Sequence, residues 1–369
     1  MKIAQVAPLY ERVPPKMYGG TERVVSWLTE ELVRQGHDVT LFATADSETQ
    51  AKLMPIVPRG LRHEEGFMYD KIGYHALMFE RVFKLACDFD VIHFHSDYLH
   101  LPYARLLVTP SMATMHCRMD YFPLKDILVE HSDFPIVSIS DAQRNYAPNL
   151  NWRRTVYHGL PEDMYFLNES PRDYLLFVGR LCPEKAPDQA IEIARRAGMH
   201  LKIAAKVDPV DRQYFDEVVK PLLNDPRVEF LGEVTDDQKQ ELMGNAFALI
   251  HTPVQFPEPF GLVMIESMAC GTPTVAFRAG SIPEVIDEGT TGFVVDDVAS
   301  AVQALQKVSS LSRRRCRQVF EKRFTSERMV NDYLSVYNQL QAGSLVERAQ
   351  RESAFANASA LASPVPSVH

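Results

Sequence analysis

No two of the five cysteines form a CxxC pair; Cys87, Cys117, Cys182, Cys270 and Cys316 are scattered and odd in number. That excludes a disulfide framework and fits free thiols in a reducing compartment. No apolar run approaches the roughly 20 residues that a membrane span needs. The opening MKIAQVAPLYERVPP is cut short by charge and proline, too early for the apolar core of a signal peptide. The expected location is therefore the cytoplasm, with peripheral attachment to the inner membrane left open. There is no long basic run, and the net charge is −9. Phosphate backbones select basic surfaces, so nucleic acid is excluded as the main partner. GxGxxG is also missing, which removes the dinucleotide fingerprint.

What the chain has instead is a rhythm. KIAQVA, HDVTLFA, DVIHFHS, SMATMHC and FPIVSIS read as strands in the first part. DYLLFVGR, HLKIAAK, RVEFLGE, FALIHTP, PTVAF and TGFVVD read as strands in the second. Helical stretches lie between most of them. One is TERVVSWLTEELVRQG, with Thr21 expected as N-cap and Gly36 as its stop. Alternation of this kind predicts parallel strands with crossover helices. A chain of 369 residues is too long for one small core. The polar, proline-flanked PEDMYFLNESPRD, residues 161–173, separates the two series. The expected fold class is α/β, with two doubly wound, Rossmann-like domains facing across a cleft. Their expected spans are 1–165 and 166–325. A last helix is expected at 326–341. Residues 342–369, rich in Ala, Ser and charge, are expected to be a disordered tail.

Four constellations fall just after strands, where ligands of open α/β sheets bind. The first is EPFGLVMIE, residues 258–266. Pro257 and Pro259 disfavour helix before residue 260. A helix is expected from near Phe260 to Gly271, with no Ser, Thr, Asp or Asn to cap its first turn. The amides of Gly261, Leu262 and Val263 would then be free donors at the positive end of the helix dipole, an anion site. Glu258 and Glu266 would flank that site and accept hydrogen bonds from hydroxyl pairs. A nucleotide-sugar supplies hydroxyls, diphosphate and hydroxyls in that order. The plainer alternative is a surface acid and an ordinary helical glutamate.

FVGRLCPEK places Arg180 and Lys185 beyond a strand end, a bidentate donor and a mobile point charge for phosphate. YGGTERVV puts Gly19 and Gly20 directly before a helix, where backbone can approach a ligand. His93 and His95 share one face of a strand, and His116 ends the next. With Cys117 adjacent, these residue types could bind zinc. A cleft edge touching sugar hydroxyls fits them better, with at least one of the three expected to be a structural, hydrogen-bonded histidine, and no metal site is assigned. Asp88-Phe89-Asp90 has a metal-binding spacing, but it precedes a strand and reads as a connection.

Together these motifs resemble the retaining glycosyltransferases of family 4, also called group 1, which have the GT-B fold. The likeness spans roughly residues 1–340. GGTE resembles the family's N-terminal glycine loop, TMHC its strand-end histidine, VGRL with EK its Arg and Lys pair, and EPFGLVMIE its E-x7-E signature. GTPTVAFRAGSIPEVIDEGTTGFVV resembles its closing glycine-rich segment. The resemblance implies transfer of a sugar from a nucleoside diphosphate to an acceptor hydroxyl, with retained anomeric configuration and no metal or other cofactor. It implies that the first domain faces the acceptor and the second binds the nucleotide-sugar. Glu258 and His116 would contact the donor sugar, and Glu266 the ribose. Arg180 and Lys185 would hold the diphosphate with the Gly261, Leu262 and Val263 amides. Gly19 and Gly20 would line the acceptor and phosphate side, and the last helix would return to the first domain. The donor could be a UDP-, GDP- or ADP-sugar, and the acceptor is not named by the sequence. Two other readings stay open: a nucleotide-sugar epimerase of the same architecture, and a non-catalytic sugar-nucleotide-binding protein.

Overall fold

A computed structural model describes residues 1–17, 19–63, 68–121 and 124–361. The side chains of 63–70 and 345–361 lie outside that description. Among the described residues, two all-parallel sheets account for the strands. The first contains β1 (Lys2–Val6), β2 (Asp38–Ala43), β3 (Lys52–Pro55), β4 (Val91–Phe94), β5 (Ser111–Thr114), β6 (Ile136–Ser138) and β7 (Trp152–Thr155). Their order is β3-β2-β1-β4-β5-β6-β7. The second contains β8 (Tyr174–Arg180), β9 (His200–Lys206), β10 (Val228–Gly232), β11 (Ala248–His251), β12 (Thr274–Phe277) and β13 (Gly292–Val295). Its order is β10-β9-β8-β11-β12-β13.

Strands covered on both faces need continuous apolar runs. The first four residues of β8 and all of β12 are buried accordingly. Every strand expected from such a run is present. The two that sequence reading missed, β3 (KLMP) and β7 (WRRT), are the edges of the first sheet. Their residues are exposed or half-buried, so they carry charge and no apolar run. The strand order reverses between β1 and β4 and between β8 and β11. At such switch points, crevices open beyond the carboxyl ends of the strands.

The chain passes from one sheet to the other at Leu160 and returns at Thr325. The two passages run side by side: Leu160 N donates to the Phe324 carbonyl at 3.0 Å and Ser326 N to the Leu160 carbonyl at 2.9 Å. A Cβ on Gly159 would lie 2.1 Å from the Thr325 carbonyl oxygen, so only glycine permits this approach. One apolar cluster joins Ile3, Trp27 and Leu28 of the first half to Tyr165, Met264 and Phe260 of the second, and to Phe320, Tyr333 and Tyr337. The outer faces of the two sheets have separate clusters.

The last helix spans Ser326–Leu361. Tyr333 and Tyr337 are fully buried, and Tyr337 Oη meets Gln5 Nε2 at 3.1 Å and His93 Nδ1 at 2.8 Å. The helix thus seals the first sheet. It continues past residue 341, where the sequence reading ended ordered structure. Residues 342–361 are rich in Ala, the best helix former. Residues 362–369 of the expected tail lie outside the described residues. No helix among the described residues is long and apolar enough to cross a membrane.

Candidate active site

A cleft of about 870 Å³ opens between the two sheets. Gly19, Gly20, His116, Arg180, Lys185, Glu258, Phe260, Gly261, Leu262, Val263 and Glu266 all line it. The residues singled out in the sequence therefore come together in space, although they span 248 positions from Gly19 to Glu266.

The helix behind the candidate phosphate site runs Leu262–Ala269. Gly261 caps it with φ 83°, a left-handed backbone that glycine adopts without strain. No side chain caps this end. The first amides are thus left pointing at the cleft with the positive end of the helix dipole. The helix begins two residues later than expected. Phe260 is not part of it: its ring is buried 4.9 Å from the His158 ring and 6.2 Å from the Phe324 ring, so it anchors the turn by packing. Across the cleft, the helix Gly20–Arg34 also starts without a side-chain cap. Thr21 is not its N-cap; Gly19 holds that position. A Cβ on Gly20 would sit 3.7 Å from Leu262 Cδ1, so the two uncapped helix ends face each other closely.

Glu258 is buried and bound twice. Lys185 Nζ donates to Glu258 Oε2, and His251 Nε2 lies 3.1 Å from the same oxygen. Burial alone would raise the carboxyl, but Lys185 and His251 outweigh it and hold the Glu258 pKa down at about 2. The Ser281 amide donates to the Glu258 carbonyl at 2.9 Å, which ties the RAGSIPE segment to this position.

Glu266 is likewise buried, with Lys239 Nζ donating to Oε1 at 2.7 Å. Lys239 also reaches Asp236 at 3.4 Å, and Asp236 accepts from Arg23 Nη1 at 2.6 Å. Arg23 belongs to the Gly20–Arg34 helix, so this ion-pair chain spans the cleft from one half to the other.

Arg180 ends β8 within reach of three acids. Its Nε lies 3.1 Å from Asp211, Nη1 3.9 Å from Asp208 and Nη2 3.5 Å from Glu184. The loop after β9 supplies two of them, and Lys206 also engages Asp208 at 2.9 Å. The acids hold the guanidinium at the cleft wall and offset part of its charge.

The histidines form a directional network. His95 Nε2 contacts Gln5 Oε1 at 2.7 Å, which can only accept. His95 Nδ1 is then the acceptor for His116 Nε2 at 2.9 Å. His116 is left with Nδ1 as a lone pair, buried and without a partner among the described residues. His93 is engaged elsewhere, by Tyr337 at 2.8 Å and Thr114 at 2.7 Å. Burial holds the His116 pKa down at about 3 and pushes His93, His95 and His158 well below the ordinary imidazole value.

Two family models match successive parts of the chain. One, described as Glycosyltransferase Family 4, matches residues 18–160. The other, Glycosyl transferases group 1, matches residues 165–323. The chain belongs to the family 4 glycosyltransferases. An N-acetyl-alpha-D-glucosaminyl L-malate synthase of Bacillus anthracis is 39% identical over 129 residues, a match that spans 33% of this chain and 33% of that protein. A glycogen synthase of Mycobacterium tuberculosis is 27% identical over 89% of this chain and 91% of its own. Among solved structures, HepE of Anabaena in complex with UDP and glucose superposes with a TM-score of 0.71 at 19% identity, covering 92% of this chain and 100% of that one. That likeness carries the fold, GT-B.

In this glycosyltransferase, no cluster of three or more His, Cys, Asp or Glu among the described residues is placed to hold a metal ion. The ring nitrogens of His93 and His95 are spent on the hydrogen bonds above. Asp90 Oδ2 accepts from the Lys2 amide at 2.7 Å, so Asp90 braces the amino end of β1. Sequence reading missed Gln5, Arg23, Asp236, Lys239 and His251. His251 was the most accessible of these, since it ends the strand FALIHTP on the cleft side.

Proposed function

We propose that the cleft transfers a sugar from a nucleoside diphosphate to an acceptor hydroxyl, with retention and without a metal. The observation that carries this is the uncapped Leu262 helix end flanked by two buried glutamates, each held by its own lysine. A diphosphate fits the amides of Leu262 and Val263 together with Lys185 and Arg180. These groups stabilise charge that grows on the phosphate as the anomeric bond breaks. Glu258 takes a hydroxyl of the donor sugar with His116 beside it on the cleft wall, and Glu266 takes the ribose hydroxyls. One oxygen of Glu258 is taken by both Lys185 and His251, which suits the carboxylate to holding a hydroxyl rather than to attacking the anomeric carbon. The acceptor hydroxyl therefore attacks from the face that the phosphate leaves, and its proton goes to the leaving phosphate oxygen. That UDP and glucose are bound in the Anabaena HepE structure supports a nucleotide-sugar donor.

In this reading residues 1–165 serve the acceptor and 166–325 the donor, and the free thiols suit work in the cytoplasm. A thermal-shift panel of UDP-, GDP- and ADP-sugars tests it. A ligand at 100 times its dissociation constant stabilises the fold by roughly 2.7 kcal/mol. One base should stand out. A panel with no shift overturns the reading, isomerised donor without acceptor would make the protein an epimerase, and unreacted donor would make it a binding protein.

A further inference from the structure

The first-half wall of the cleft carries chemistry that donor binding leaves unused. Tyr10, Tyr98 and Tyr121 line it, with Glu22 and Asp97 among them. Glu22 is only 4% exposed, on the first turn of the Gly20–Arg34 helix. Asp97 follows β4 in a left-handed backbone, φ 47°, at the carboxyl end of the strand. Neither acid makes an ion pair among the described residues; the Glu22 carboxylate accepts from backbone amides of Glu22 and Glu11 and feels the Arg62 charge, and Asp97 accepts from the Cys117 thiol.

The cations of this wall are committed. Arg62 Nε meets Glu11 at 2.6 Å. Arg118 binds both oxygens of Asp120, at 2.6 and 2.7 Å. Arg23 holds Asp236 and the Met17 carbonyl. The imidazoles of His75, His95 and His116 are kept neutral by burial. A phosphate or carboxylate on the acceptor would thus meet two acids that carry no ion pair, on a wall where each arginine already faces an acid of its own. Burial also pushes Glu22 up to about 7 and Asp97 up to about 6, and a nearby anion would push both further.

Resting on the glycosyltransferase reading of the same cleft, we propose that this wall selects an uncharged, polyhydroxylated acceptor: a sugar or the sugar headgroup of a larger molecule. Tyrosine rings cover the apolar face of such a ring, while Glu22 and Asp97 accept its hydroxyls. One acceptor oxygen forms the bond to the anomeric carbon. The bond from that carbon to the diphosphate oxygen breaks, and the acceptor proton leaves with the diphosphate.

The test uses the full chain and whichever nucleotide-sugar stabilises it. Nucleoside diphosphate release is followed with methyl glycosides and disaccharides, with their octyl counterparts, and with matched anions: sugar 6-phosphates, uronates and L-malate. Neutral sugars should accelerate release at least roughly tenfold more than their charged counterparts. A larger gain with octyl glycosides would identify a headgroup as the source, and an equal gain a free sugar. Glu22→Gln and Asp97→Asn should each raise the acceptor KM by roughly tenfold, and the donor KM by much less, as expected for lost hydroxyl contacts. Preference for a charged acceptor, no acceleration by any neutral sugar, or variants with unchanged acceptor KM overturns the proposal. Donor hydrolysis without acceptor keeps the transferase reading standing in that event; loss of donor binding and hydrolysis together defeats the reading itself.

Discussion

Lys185 and Glu258 are hydrogen-bonded inside the cleft, Nζ to Oε2, with His251 on the same oxygen. Glu258 is ionised because of these partners and despite its burial. Its folded pKa is depressed from the ordinary 4.5 to about 2. The stabilisation it gives is complete above the ordinary value and lost as pH falls through about 2. Lys185→Met leaves burial dominant and should raise the carboxyl. The acid limb of the kcat/KM profile should then move up by about one unit or more, on top of a lower plateau. A lower plateau with an unmoved limb would show that Lys185 serves the phosphate alone.

Arg180 is predicted to act on the diphosphate. Arg180→Ala should lower kcat/KM by roughly 10- to 100-fold, the range of one charge-assisted hydrogen bond. Arg180→Lys should restore little, because the acids around it are set for a planar fork. Steady-state kinetics of both variants checks this; wild-type turnover in Arg180→Ala would remove the residue from the site.

Glu266 is predicted to read the ribose. Glu266→Gln should weaken nucleoside diphosphate binding even with no sugar attached. A 2′,3′-dideoxy nucleotide should bind mutant and wild type about equally by calorimetry. Equal weakening of both nucleotides would assign Glu266 to the Lys239–Asp236–Arg23 chain instead.

The buried imidazoles set the acid stability. His116 titrates at about 3 in the fold against an ordinary 6.5, so the unfolded chain binds more protons between those values. Stability should therefore fall as pH drops below about 6.5. Urea unfolding at pH 7 and pH 5 should show this loss, and His116→Gln should make it shallower. An unchanged slope would mean that His116 does not titrate on unfolding.

Much of this was legible from local pattern. The apolar runs announced β1, β8 and β12 because both faces of those strands are covered. EPFGLVMIE showed an uncapped helix because the absence of a cap is itself local. What spacing could not show was pairing across the fold. Lys239 reaches Glu266, and Lys185 reaches Glu258 from 73 residues away. The acids around Arg180 come from the loop after the neighbouring strand. At least one of the three histidines was expected to be structural, but spacing could not say that it is His93, whose partner is Tyr337 on a helix that returns from the far end of the chain. Edge strands β3 and β7 stayed hidden since neither has an apolar run.

Retention by same-face attack is the central claim, and the first product reports it directly. Proton NMR of that product, formed with a chelator present throughout, should show the donor's own anomeric coupling at an undiminished rate. An inverted coupling, or activity abolished by chelator and restored by a divalent metal, would contradict the account.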